Sequence, residues 1–296
     1  MNEALVTKDL VKRYGRSHAL NGFSLSVPRG ATLGLVGQNG AGKTTWMMTV
    51  AGFVHPTSGS VNLLEKGPFD ADRHSGEFTI LPQDSELPLE ARPRELLVRY
   101  ARLQGLSASA AAQAADKLLA AFNLTAKAYA PIRALSHGMR KRVMVAQAFI
   151  GSPKIVLLDE PLSGLDPVEA DRMRTFIRSR RGNVTIVISS HQLDDIQKLC
   201  THVAFVAAGR VEKMETLASL TESSGRIVCQ MAREPTDVTV EGLSLSWNAA
   251  RGELTVTFDA SRSVEDVNTL LLPKLLPFGV RSVASGRSLE EVYLGR

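Results

Sequence analysis

Two cysteines in 296 residues leave nothing from which to build a disulfide framework. Cys200 and Cys229 have no second ligand pair near either, so they read as reduced packing residues rather than a bridge or a zinc site. Aromatic residues are sparse at 5%. No apolar run approaches the roughly 18 residues that a membrane-spanning helix needs. The opening Met1-Asn2-Glu3-Ala4 lacks a basic stretch followed by an apolar core, so no secretory leader is expected. What is present is ordinary for a globular protein. Hydrophobic residues make up 44% and charged residues 22%, which excludes disorder and a collagen-like fibre. That composition can bury a sizeable core, in one large domain or two modest ones.

The net charge of +5 is uneven. Residues 1–220 carry 27 Lys/Arg against 20 Asp/Glu, whereas 221–296 carry 8 against 10. The division suggests two domains, the first facing something anionic: nucleotide, nucleic acid or a lipid surface. Over the first 220 residues, short β-rich runs alternate with helical patterns, which predicts an α/β domain with a mainly parallel sheet. The expected strands are 31–36, 79–81, 154–158, 184–188 and 203–206, several of them apolar on both faces as strands buried between helices must be. Between 84 and 150 the pattern is helical and Ala-rich (94–103, 108–122, 136–149), predicting an all-helical insertion. Residues 217–225 read as a helix end followed by a linker. Beyond them lies a small α/β domain, 221–296, with strands expected at 226–231, 254–258 and 280–284. Helices are expected there at 264–275 and 288–294, Pro273 ending or kinking the first.

Gly37-Gln38-Asn39-Gly40-Ala41-Gly42-Lys43-Thr44 follows the apolar run 31–36 and satisfies the pattern G-x-x-x-x-G-K-[ST]. Glycines let a backbone wrap around phosphate without a Cβ in the way. The loop amides then point inward, and a helix opening near Gly42 adds its positive end. Lys43 is placed to meet the β- and γ-phosphates and the Thr44 hydroxyl to ligate Mg²⁺. A second element, Ile155-Val156-Leu157-Leu158-Asp159-Glu160, is an aliphatic strand ending in two acids, where open α/β sheets bind their ligands. Asp159 is expected to orient a Mg²⁺-bound water and Glu160 to polarise an attacking water. Neighbouring strand residues point to opposite sides, so the two acids need not share one task.

Between these elements lies Leu135-Ser136-His137-Gly138-Met139-Arg140-Lys141-Arg142. With it, the chain resembles the ATP-binding subunit of an ABC transporter, whose Leu-Ser-Gly-Gly-Gln-type signature precedes the aliphatic strand by about this distance. Tyr14 matches the family's adenine-stacking aromatic and Gln83 its glutamine loop. Ser163-Gly164-Leu165-Asp166 matches the loop that crosses to the partner subunit, and His191 the switch histidine. His137 and Met139 depart from the commonest signature, whereas Ser136 and Gly138 retain it; Ser136 is also suited to cap the following helix. The ending Ser288-Leu289-Glu290-Glu291-Val292-Tyr293-Leu294 resembles that of an export-associated branch with a short extra C-terminal domain.

The resemblance implies a P-loop NTPase core with a β-rich N-terminal portion, and ATP and Mg²⁺ as cofactors. The nucleotide contacts it implies are Tyr14, Gly37, Gln38, Asn39, Gly40, Ala41, Gly42, Lys43, Thr44 and Thr45 from one chain, with Ser136 and Gly138 from a second. Glu160, His191, Lys43 and Gln83 are the implied catalytic residues, and Thr44, Gln83 and Asp159 the implied metal ligands. It further implies a head-to-tail pair, most simply a homodimer, that sandwiches two ATPs. A separate polytopic membrane subunit would supply the transport path and dock near 83–93, placing this chain at the cytoplasmic face of the membrane. The residues alone leave another reading open. A soluble ATPase of the same superfamily acting on nucleic acid or the ribosome fits the five arginines of 172–181, although a single cassette without a long coiled coil speaks against it, and no nucleic acid is expected. A non-catalytic nucleotide-binding module is the third reading, opposed by Glu160 and His191.

Overall fold

A computed structural model describes residues 3–222, 225–259 and 262–285. The chain divides into two compact units, Met1–Met214 and Glu215–Arg296.

The first unit holds two sheets. Strands β1 (Glu3–Tyr14), β2 (Ser17–Pro28) and β4 (Ser58–Leu63) form an antiparallel sheet in the order β2-β1-β4. Strands β3 (Thr32–Val36), β5 (Phe78–Leu81), β6 (Ile155–Asp159), β7 (Thr185–Ser189), β8 (His202–Ala207) and β9 (Arg210–Thr216) form the second, ordered β5-β6-β7-β3-β8-β9. The pairs β5–β6, β6–β7, β7–β3 and β3–β8 are parallel. Every residue of β3, β6 and β7 is buried, the signature of strands covered on both faces. The strands expected from sequence recur here, each shifted by a residue or so at one or both ends. Because β3 and β6 lie either side of β7, the phosphate loop after β3 and the acids ending β6 open at the same edge of the sheet.

Helix α1 (Lys43–Val50) follows the phosphate loop and anchors it to the antiparallel sheet. Trp46 is fully buried, stacks on Phe23 with centroids 5.6 Å apart, and donates from Nε1 to Thr7 Oγ1 at 3.2 Å. Between β5 and β6 the chain is helical: α2 (Pro93–Leu103), α3 (Ala108–Ala121) and α4 (His137–Ala148). Pro93 begins α2 where its missing N–H is harmless, and Ser107 caps α3 by accepting from Ala110 N at 3.2 Å. Helices α5 (Pro167–Arg178) and α6 (Leu193–Leu199) follow β6 and β7.

Within the stretch 217–225, Leu217–Glu222 forms helix α7 and buries Leu217 and Leu220, longer than the expected helix end. In the second unit, β10 (Arg226–Met231), β11 (Leu243–Asn248), β12 (Glu253–Phe258) and β13 (Val280–Ser285) form an antiparallel sheet ordered β11-β12-β10-β13. Helix α8 (Val264–Leu275) packs Val267, Leu271 and Leu275, spaced four apart on one face, against Ile227, Cys229, Met231, Leu254 and Val256. Pro273 does not end this helix, which runs two residues past it. Ser288–Leu294, expected to be helical, lies outside the described residues. Among the described residues no helix is long and apolar enough to cross a membrane.

Candidate nucleotide site

Sterics explain the glycines of the phosphate loop. A Cβ on Gly37 would run into the backbone oxygen of Val206 on β8, and one on Gly42 would stand 2.6 Å from the Ala19 oxygen of β2. Gly42 also holds φ at +107° as it caps α1. The loop is therefore threaded between the two sheets where only bare backbone fits. It is held by hydrogen bonds from Ala41 N to Gln38 O at 3.1 Å and from Gly209 N to Ala41 O at 3.0 Å. Its apex, Gln38, Asn39 and Gly40, is exposed.

Lys43 begins α1 and is 7% exposed. Its Nζ donates to Gly37 O at 2.7 Å and Gln38 O at 3.2 Å, which leaves one of three ammonium protons for an anion. Burial lowers its pKa, and the charges of Glu160 and Asp159 oppose that shift. Thr44 is exposed and Thr45 half-buried. Tyr14, at the end of β1, is 53% exposed, with Lys12 Nζ 5.1 Å from its ring centroid.

The two acids behave differently. Asp159 is the last residue of β6, and the parallel register sets it beside Ser189, the last residue of β7. Ser189 Oγ donates to Asp159 Oδ1, while Asp159 Oδ2 is buried with no hydrogen-bond partner among the described residues. Glu160 turns out of the strand with φ at +50°, a left-handed conformation uncommon for a residue with a Cβ and costing about 1–3 kcal/mol. Three hydrogen bonds hold it there. Glu160 N donates to Ser189 Oγ, His191 N donates to Glu160 Oε1, and His191 Nδ1 meets Glu160 Oε1, each at 3.0 Å. A carboxylate only accepts, so this last contact requires the imidazole proton on Nδ1. Asp159, Glu160, Ser189 and His191 thus form one connected network at the ends of two adjacent strands. Gln83 is exposed just beyond β5, the strand beside β6.

Ser136 caps α4, its Oγ accepting from Met139 N at 3.2 Å as its sequence position suggested. Ser136 is exposed and Gly138 half-buried. Among the described residues, no hydrogen bond joins either of them to the acid network or the phosphate loop.

Ser189 and Lys141 are two neighbours of the site to which the sequence reading gave no role. The signal for Ser189 is its register opposite Asp159, which needs the sheet order. Lys141 is 7% exposed on α4; burial lowers its pKa, opposed by the nearby charges of Glu160, Asp159 and Asp84. The arginines of 172–181 are largely absorbed by the fold. Arg174 pairs with Asp195 at 2.8 Å, Arg180 lies over the Phe176 ring at 4.7 Å, and Arg181 donates to the Leu199 oxygen at C-terminal α6.

A family model described as ABC transporter matches residues 20–163. A Nod factor export ATP-binding protein I from Burkholderia orbicola is 36% identical over 69% of this chain and 67% of its own length. The protein of that name from Cupriavidus metallidurans is 33% identical over 71% of this chain and 70% of its own. These matches therefore cover about two thirds of each relative. Among solved structures, the ATP-binding subunit of an ABC transporter superposes with a TM-score of 0.66 at 26% identity, covering 73% of this chain and 91% of that one. A structure described as part of the cbiONQ ABC transporter complex, from Clostridium perfringens, superposes at 0.64 with 25% identity, over 74% and 90%. With the G-x-x-x-x-G-K-T loop, the paired acids and His191 assembled on this fold, the chain belongs to the ATP-binding subunits of ABC transporters, a family of P-loop ATPases.

Proposed function

We propose that this chain drives export by binding and hydrolysing ATP between two copies of itself while docked on a separate membrane subunit. The observation that carries the reading is the network at the ends of β6 and β7, where a buried aspartate, a strained glutamate and a histidine stand beside the phosphate loop. The names of its relatives support transport in the export direction.

The residues divide the chemistry. The loop amides and the free proton of Lys43 bind the phosphates, and the N-terminus of α1 favours their charge. Glu160 Oε1 is engaged by His191, which leaves Oε2 to accept from the attacking water and orient it toward the γ-phosphate. His191 holds that carboxylate in its turn. Tyr14 offers an exposed ring for the base to stack on. The unpartnered Asp159 Oδ2, with the Thr44 hydroxyl and the Gln83 amide, suits a hard divalent cation. Mg²⁺ held by these three residues would neutralise phosphate charge.

Ser136 and Gly138 serve the ATP of the partner copy. A capped helix start with an exposed hydroxyl and amides is fitted to a γ-phosphate. ATP then supplies contacts that favour the closed pair, and hydrolysis removes them. The reading is tested by sedimentation of Glu160→Gln with saturating MgATP and with MgADP. A dimer in ATP that reverts to monomer in ADP is expected; a monomer in both, with ATP bound, overturns the paired arrangement. Co-purification of a polytopic membrane protein with the tagged chain tests the transport half.

A further inference from the structure

We infer that His137, Arg142 and Glu169 fasten the signature turn to the loop 163–166 of the same chain, so that both reach the partner's ATP as one rigid piece. The inference rests on the paired arrangement proposed above.

Three contacts carry it. At the turn, the His137 Nε2 sits 3.1 Å from where a Cβ of Gly164 would stand, so the imidazole covers a glycine that also holds φ at +77°. One residue on, a Cβ of Gly138 would meet Leu165 Cδ2 at 3.7 Å. Further along both segments, Arg142 Nε lies 2.6 Å from Glu169 Oε2, with the side chains only 5% and 17% exposed. Each pair is separated by the same distance along the chain. The signature turn with the start of α4 and the loop 163–166 with the start of α5 therefore run side by side in one direction.

The partners are themselves fixed. Arg142 Nη1 donates to the Phe122 oxygen at 2.8 Å, tying the C-terminal end of α3 to the same guanidinium. Glu169 N donates to Asp166 Oδ1 at 2.9 Å, so Asp166 caps α5 and closes the loop from within. A buried ion pair is a poor source of net stability, but removing one partner leaves the other charge buried and uncompensated. Among the described residues, no hydrogen bond joins any of these three side chains to the chain's own phosphate loop or acid network. Their effect is thus expected on the site to which the signature is lent.

Mixed dimers test this. Two differently tagged copies are combined with MgATP and the mixed species isolated. One copy carries Lys43→Ala, so the surviving site pairs the other copy's Lys43 with the signature of the Lys43→Ala copy. Glu169→Gln, which preserves size, and His137→Gly, at an exposed position, are then placed on either copy. On the lending copy each is expected to lower turnover about tenfold or more, because small misplacements of a catalytic group are costly. On the receiving copy turnover and the KM for ATP are expected to stay within about twofold of the parent. Ser136→Ala on the lending copy is the control for the pairing itself. If it lowers turnover and Glu169→Gln and His137→Gly do not, the fastening is overturned while the dimer stands. Equal losses on both copies indicate a merely structural role and also overturn it. If Ser136→Ala has no effect from either copy, or no mixed species forms, the paired reading falls and the inference with it.

Discussion

The acid network and the signature turn present opposite kinds of polar surface. Asp159, Glu160, Ser189 and His191 are joined by hydrogen bonds within one chain, and Asp159 and Glu160 are buried. Ser136, by contrast, is exposed, and its hydroxyl serves the start of its own helix. The first region is a buried, internally bonded cluster beside the phosphate loop; the second is an exposed helix start. This asymmetry is consistent with the proposed site shared between two chains, in which the signature turn of one copy would complete the site of the other.

The largest expected effect is at the network. Glu160→Gln keeps the shape and the acceptor for His191 but loses the negative charge that draws a proton from water. Turnover should fall about 10²–10⁴-fold with ATP affinity retained, measured by phosphate release and equilibrium nucleotide binding. Wild-type turnover would remove Glu160 from its role. Ser136→Ala probes the other region. Affinity for ATP at the chain's own loop should stay within about twofold and turnover should drop about tenfold or more. The lost cap should lower unfolding stability by about 1 kcal/mol in thermal denaturation. A weakened ATP affinity in the isolated monomer would erase the contrast between the regions.

A smaller effect is expected behind the phosphate loop. Trp46→Phe keeps the ring against Phe23 but deletes the donor to Thr7, at a cost of about 0.5–1.5 kcal/mol readable in denaturant unfolding. The smallest effect concerns pH. Burial lowers the Lys43 pKa, so in nucleotide-free protein it releases its proton at a lower pH than the unfolded chain does. Between those two values the unfolded state binds more protons, and the Lys43 contribution therefore makes stability rise with pH. The destabilisation is present in full below the folded pKa and relieved as pH climbs through it. Comparing wild type with Lys43→Met across the alkaline range isolates this slope, which should be absent in the variant.

Legibility in the sequence followed the simplicity of the local signal. Strands β3, β6 and β7 are short, dominated by buried aliphatic residues and closed by glycine, acid or serine, and they could be read to within a residue or so. Strands β1 and β2 are long yet harder to see. Register shifts between Thr7 and Leu10 break the alternation, and Asp9 takes φ of +47° at that irregularity. Strand β11 does alternate, Leu-Ser-Leu-Ser-Trp, but its apolar residues are only half-buried at a sheet edge. Within the candidate site, motif order pointed to Asp159, Glu160 and His191, which the fold brings into one hydrogen-bonded network. It did not locate Ser189 as a bridge, which depends on β6 and β7 being neighbours in register, nor the buried Lys141, which depends on which face α4 turns inward. The left-handed backbone at Glu160 had no local signal either, since nothing in the residue type favours it.

The indole of Trp46 hangs the nucleotide loop from a sheet that, on the proposed reading, supplies no group to the phosphates. Lesions in the body of β1 or β2, away from Tyr14 and the other motif residues, should therefore surface as poor nucleotide retention in a protein whose motifs are all intact. A survey of inactive variants confined to motif positions would overlook this class, and sorting variants by their reach to the indole would recover it.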